Sequence, residues 1–288
     1  MLTDVSSQDP STLKALFEEM VQISLWGNAS DLSLLASVSI EELDSVQGQK
    51  AREASRSNVL VDDTSSIFSL LTDLKSTDKH AGEIHYVLDN AGFELLTDLV
   101  FASFLLTSGI TERVHLHGKR IPWFVSDVTS SDLKDLLDGF TNGTLYPDLS
   151  TEDQAELKEA AAHWQDLFSS GKLVFEAHPF WTTAHLFGRL PVVAPDLYQT
   201  LEQADLVIYK GDLNYRKLTY DALWPHSTPF EDAIGPLKNG PRTLVLRTAK
   251  AEVAVGVPEE KLRELPEDWT SSGKWGLVQY WDGKKGNS

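Results

Sequence analysis

Seven short apolar runs, set between stretches patterned as helices, most constrain what this chain can fold into. They are "NVLVDD", "EIHYVLDN", "RVHLHG", "KLVFEAH", "DLVIYKGD", "RTLVLRTAK" and "WGLVQYWD". Their apolar cores are rich in β-branched residues and show no clean in–out alternation, so both faces of each strand face a core. Between them, helical spacing is read over 10–25 (Leu13, Leu16, Phe17, Met20 and Ile23 on one side), 64–74, 91–107, from about Ser131, 151–169 and Pro195–Ala204. Asp63 or Thr64 supplies an N-cap, Gly171 a C-terminal stop, and Gly27 breaks the first helix. Strands alternating with helices predict an α/β protein: a three-layer α/β/α sandwich with a mostly parallel sheet and a short N-terminal helical region. "IPWFVSDV" reads as an extended segment, residues 41–57 as a polar connector and "DGKKGNS" as a frayed tail.

Ligands of open α/β sheets bind beyond the carboxyl ends of the strands, so the residues that follow each strand matter most. Asp89-Asn90 follow one strand, Asp127 the "WFVS" segment, His178 another, Lys210-Gly211-Asp212 with Asn214 a fourth, and Arg247 with Lys250 a fifth. Two carboxylates and an amide oxygen are the donor set of a hard divalent cation. The free amides of a helix starting near Ala91 favour a phosphate, and Gly92 permits its close approach. Each residue alone has a plainer reading. Asp89-Asn90 and Asp127 read as helix caps, Glu94 as a first-turn dipole partner, and Lys210 and Lys250 as solvated cations. The two imidazoles of "HLH", His115 and His117, have metal binding as the lesser reading. Convergence on one sheet edge favours the site.

Charge narrows the ligand class. The chain of 288 residues carries 25 basic and 43 acidic side chains, a formal −18. Such a surface repels nucleic acid and anionic membranes, so any anionic ligand needs local positive charge. Without cysteine there is no disulfide, thiolate catalysis or zinc–sulfur site. No apolar run reaches the ~20 residues of a membrane span, and the N-terminus lacks a signal-peptide pattern. A cytoplasmic location is expected, with the nucleus as a second compartment. No GxGxxG, Walker A or Gly-x-Ser-x-Gly motif occurs, which removes the usual dinucleotide, P-loop and nucleophile-elbow readings.

The blocks "LWGNASDLSLL", "VLDNAGFELLTDLVFASFL", "VHLHGKRIPWFVSDV", "ADLVIYKGDLNYRKL" and "LRTAKAEVAVG", in that order, closely resemble the metal-dependent damage-control phosphatases of the domain-of-unknown-function 89 group. The resemblance runs from about Leu25 to Val257. It is strongest to the sugar-phosphate branch with an Arg-Thr-x-Lys motif, here Arg247-Thr248-Ala249-Lys250; that branch is also described as a protein-glutamate methyltransferase. The resemblance implies a divalent metal on Asp89, Asn90 and Asp127, with Mn²⁺, Co²⁺ or Ni²⁺ favoured and Mg²⁺ also used. It implies fructose 1-phosphate or fructose 6-phosphate as the class of substrate. Lys250 would hold the phosphate, with Asn28, Asp31 and the Lys210–Asn214 loop (Lys210, Asp212, Asn214) lining the pocket and Arg247 adding charge. Asp127 or Glu94 would orient the attacking water. Only about 25 residues precede "LWGN", where that branch carries a long helical segment. Residues 1–57 are accordingly expected to be a helical region with a shortened lid, and 58–288 the α/β phosphatase domain. The alternatives are an S-adenosylmethionine-dependent methyltransferase and an inactive fragment.

Overall fold

The computed structural model describes residues 8–27, 56–77 and 82–283. Its seven strands are β1 (Val59–Asp62), β2 (Glu83–Val87), β3 (Arg113–His117), β4 (Leu173–Glu176), β5 (Leu206–Lys210), β6 (Thr243–Thr248) and β7 (Gly276–Trp281). They form one sheet in the order β1-β7-β6-β5-β2-β3-β4. All pairings are parallel except β6 with β7, which is antiparallel.

The helices used below are α1 (Pro10–Gly27), α2 (Thr64–Lys75), α3 (Phe93–Thr107), α4 (Ser130–Asn142), α5 (Thr151–Ser169), α6 (Pro195–Gln203) and α7 (Gly211–Leu218). Alternate residues of β5 show why its apolar run is unbroken. Leu206 and Ile208 join the core formed with α1 to α5, whereas Val207 and Tyr209 join the core formed with α6 and α7. Both faces are covered, as the absence of alternation predicts.

The helix α1 is built into the first of these layers. Its Phe17 ring lies 5.4 Å from Phe68, 5.8 Å from Phe101 and 6.4 Å from Phe104, and is fully buried. Burying such a side chain contributes about 1.5–3 kcal/mol. The helix is described as far as Gly27, where a Cβ would meet the Thr97 hydroxyl at 2.1 Å, so the bare glycine is what lets α1 and α3 approach there.

Strand order creates the crevice. From β2 the chain proceeds outward through β3 and β4, then returns to place β5 on the other side of β2 and continues to β6. The carboxyl ends of β2 and β5 therefore flank a topological switch point, where such sheets bind ligands.

Three local expectations change. "IPWFVSDV" is an irregular loop, with Ile121, Trp123, Phe124 and Val125 exposed. Its Trp123 and Phe124 amides donate to Asp127 and cannot join a ladder. At the start of α2 the N-cap residue is Asp63, as expected, but its carboxylate accepts from the Tyr280 amide instead of capping, and Asp62 accepts from the Thr64 amide. The helix α3 begins at Phe93, not Ala91. The connector over 41–55 and the tail beyond 283 lie outside the described residues.

Candidate active site

The loop after β2 explains how two distant acids meet. Residues 126–128 run back along 89–91: the Ala91 amide donates to the Ser126 carbonyl (2.8 Å) and the Val128 amide to the Asp89 carbonyl (3.0 Å). Asn90 and Asp127 are paired as an antiparallel bridge. This short ladder sets Asp89, Asn90 and Asp127 on one edge. It also uses the Ala91 amide, which is therefore not available to a phosphate. Gly92 caps α3 at φ 71° and ψ −128°, a backbone region that favours glycine.

The cap readings of the acids do not hold. The N-cap of α4 is Thr129, in a reciprocal capping box with Asp132. Asp127 instead accepts from the amides of Trp123 (3.0 Å) and Phe124 (2.9 Å) and is 2% exposed. Asp89 is also buried and lies against Gly211 at the end of β5; a Cβ at Gly211 would sit 1.8 Å from Asp89 Oδ2. The Asn90 side chain donates to Asp89 Oδ2 (3.0 Å) and Glu94 Oε2 (2.7 Å), while its Oδ1 accepts from Ser126 (2.6 Å).

Lys119 sits beside this edge and was not singled out from the sequence. It is 2% exposed, its amide donates to the Val128 carbonyl, and its ammonium feels both Asp127 and Asp89. Burial pulls its pKa down, and the two carboxylates oppose that shift without cancelling it. Lys217, on α7, is a second addition. Its Nζ donates to the Thr183 carbonyl (2.7 Å) and lies 5.7 Å from the Trp123 ring and 5.4 Å from the Phe187 ring. Burial, and then repulsion from Lys119, lower its pKa to about 8, with Asp127 acting the other way. The signal in the sequence was the "HGK" at the end of β3 and the lysine after "NYR"; neither is followed by anything that marks it as buried.

The other predicted positions divide into two groups. Lys210, read as pocket lining, is fully buried beneath the edge. Its Nζ lies 2.9 Å from Asp98 and 3.4 Å from Glu94, and it bonds the Ser24 hydroxyl (3.0 Å) and carbonyl. Burial opposes its charge, but Asp98 and Glu94 outweigh that and raise its pKa. Asp98 is pushed up to about 6, chiefly by burial. Asn214 is also fully buried; its amide donates to the carbonyls of Lys210 (2.7 Å) and Leu88 (3.1 Å) and ties α7 to β5 and β2. Arg247 donates through Nε and Nη2 to Asp212 Oδ1 (2.9 and 2.7 Å) and through Nη2 to the Ala251 carbonyl (2.9 Å), and its guanidinium carbon lies 4.2 Å from the Tyr215 ring centroid. It shapes the loop that presents Lys250, whose amide also reaches Asp212 (3.3 Å). Lys250 is partly exposed at the loop tip. Asn28 and Asp31 lie outside the described residues.

The donor set fits a hard divalent cation. Asp89 and Asp127 carry buried carboxylates on one edge, and half a turn of the Asn90 amide presents Oδ1 where Nδ2 now meets Asp89. The bare Gly211 Cα leaves the Asp89 carboxylate its space.

Fold and edge together define an α/β protein of the open-sheet class with a polar, acid-lined site at a topological switch point. The model of the damage-control phosphatase ARMT1-like domain matches residues 2–265. The chain belongs to that family. It is 38% identical over 285 residues to the human protein named damage-control phosphatase ARMT1, covering 97% of this chain and 62% of that one. The counterparts from Macaca fascicularis and Danio rerio are 39% and 37% identical, with coverage of 97% of this chain and 62% and 61% of theirs. The chain thus spans about three-fifths of the length of the curated relatives it matches. A crystal structure of a DUF89 family protein from Pyrococcus horikoshii shares the fold at TM-score 0.50 and 18% identity, covering 91% of this chain and 65% of that one.

Proposed function

We propose that the chain is a divalent-metal-dependent phosphatase acting on small phosphorylated sugars of the fructose 1-phosphate and fructose 6-phosphate class. The observation that carries the reading is the Asn90–Asp127 bridge, which sets two buried carboxylates and an amide on the switch-point edge with Lys119 beside them. The name of the relatives, damage-control phosphatase, supports it. Mn²⁺, Co²⁺ or Ni²⁺ are the preferred ions, with Mg²⁺ an alternative.

Asp89, Asn90 and Asp127 would hold the ion, which supplies charge neutralisation at a phosphoryl oxygen. Lys119, Lys217 and Lys250 would carry the positive charge that an anionic substrate needs on a chain of net −18. Glu94, held by the Asn90 amide and Lys210, and Asp127, held by two backbone amides, are the candidates to orient the attacking water. Arg247 and Asn214 position the surrounding loops. The apolar rim of Trp123 and Phe124 would cover the sugar. No helix of the described residues is long and apolar enough to cross a membrane. No observation favours the methyltransferase alternative; Asp89-Asn90 stand where a glycine-rich cofactor loop would have to be.

A phosphatase screen over sugar phosphates and an aryl phosphate, with each metal tested separately after chelation, tests the reading. Turnover should require added metal and disappear in Asp127→Asn. Turnover that survives chelation, or that Asp127→Asn leaves intact, would overturn it.

A further inference from the structure

A second cluster of metal-binding side chains lies in the sheet itself, on the face that packs against Trp181. His85 and His115 pair in register on β2 and β3, and Glu83 sits two residues before His85 on the same face. One ligand atom from each of the three lies within 4.8 Å of the others. They lie within the first three residues of their five-residue strands. At about 3.3 Å per residue, His85 is ~13 Å along the chain from Asp89, away from the candidate-site edge.

Both imidazoles are anchored through Nδ1. His115 Nδ1 meets Glu176 Oε1 at 2.7 Å, and His85 Nδ1 meets His117 Nε2 at 2.8 Å. Each ring is thus oriented through Nδ1 by an outer partner, a carboxylate for His115, as for many metal-bound histidines, and an imidazole for His85. In both residues Nε2 is buried without a hydrogen-bond partner, and His85 is fully buried. Glu83 completes the set: Oε1 is held by Arg113 (2.7 Å), while Oε2 faces His115 Nε2 at 3.8 Å. His115 and Glu83 retain 13% and 32% side-chain exposure, which leaves a route in.

The geometry points to a second divalent transition-metal site, of the zinc type, formed by Glu83, His85 and His115, which pins β2 to β3. Two imidazoles and one carboxylate are a usual zinc donor set, with water completing the tetrahedron. Two adjustments accompany binding. The His85 and His115 rings now stack in parallel, centroids 4.4 Å apart at 4°. Zn–N bonds of ~2.0–2.1 Å require the two Nε2 atoms roughly 3.3 Å apart, so the rims of the rings tilt together. The second is a tautomer change. Trp181 Nε1 now approaches His117 Nδ1 at 3.4 Å, an order of donors that leaves a proton on His85 Nε2. With the metal, His85 Nδ1 donates to His117 instead, and the long Trp181 contact is the bond given up.

The test uses the whole chain carrying Asp127→Asn, which removes one ligand of the site proposed above and so keeps the two readings separable. After chelation, Zn²⁺ is titrated by calorimetry, and Co²⁺ by visible absorption. The expected result is one equivalent bound with a tetrahedral Co²⁺ spectrum. His115→Gln should abolish that binding. Glu176→Gln should weaken it about 10–100-fold. Because His115→Gln disturbs a buried stack, Glu83→Gln, at the exposed rim, serves as a second variant and should lose at least tenfold in affinity with unchanged circular dichroism. Absence of Zn²⁺ binding in Asp127→Asn, or binding that neither Glu83→Gln nor His115→Gln alters, would overturn the assignment whatever the phosphatase assay shows.

Discussion

Replacing Lys210 with methionine tests how the candidate site is held from below. The ammonium is fully buried and is shared by Asp98 (2.9 Å), Glu94 (3.4 Å) and the Ser24 hydroxyl (3.0 Å). Methionine fills the volume but leaves two carboxylates in a dry place without their cation. Breaking a buried ion pair in this way costs about 3–5 kcal/mol, a large share of the ~5–15 kcal/mol stability of a typical domain. Proton uptake should moderate the loss. Asp98 is already pushed up to about 6 by burial, and removing its cation raises it further. A carboxyl with a raised folded pKa binds protons more tightly in the folded state. Its contribution is complete below the unfolded value near 4 and is lost as pH rises through about 6. The cost of Lys210→Met should therefore be about 3–5 kcal/mol at pH 7.5 and distinctly smaller at pH 5, read from urea midpoints at constant m-value. Adding Asp98→Asn should recover part of it, because Ser24 and Tyr86 still engage that position. Metal affinity should fall as well, since Glu94 loses the partner that keeps it against Asn90. A loss below about 1 kcal/mol at pH 7.5, or one independent of pH, would refute the view that this lysine neutralises the floor of the site.

Three further perturbations address the edge itself. Gly211→Ala places a Cβ 1.8 Å from Asp89 Oδ2 at a φ of +78°, so the carboxylate must move; calorimetry should show loss of the metal equivalent assigned to Asp89, Asn90 and Asp127, with about 1–3 kcal/mol of backbone strain in denaturation. If Lys217 binds phosphate as a cation, kcat/KM should decline as pH rises through about 8, and Lys217→Met should have a lower kcat/KM without that limb. The same lowered pKa means that the wild-type chain loses stability as pH falls from the unfolded value near 10.5 through about 8, and Lys217→Met should not. Arg247→Lys should keep the charge but lose the two-nitrogen grip on Asp212 and the stacking on Tyr215, lowering kcat more than stability if the loop carrying Lys250 shifts; equal kcat in both proteins would show that the loop is positioned otherwise.

Much of the architecture could be read from the chain because its causes are local. The apolar runs of β2, β5 and β6 are buried on both faces in the structure, and the helical spacing over 10–25, 64–74 and 151–169 ends within a few residues of the observed helices. The pairing of Asp89-Asn90 with an acid after the next strand was also legible, since loops at strand ends gather at one edge in this class of sheet. Other features depend on partners distant in sequence. Nothing near β7 specifies that it runs antiparallel to β6, because direction is set by how the chain returns. Lys210 reads as a solvated residue in isolation; it is buried because β5 enters the sheet beside β2, opposite Glu94 and Asp98. Lys119 and Lys217 approach Asp127 only once the 119–128 loop folds back along Asp89–Ala91 and α7 packs against β5. Periodicity records which side chains must leave water, and that alone determines the layers. Which charges then face one another is decided by register and loop closure, and those are properties of the assembled fold.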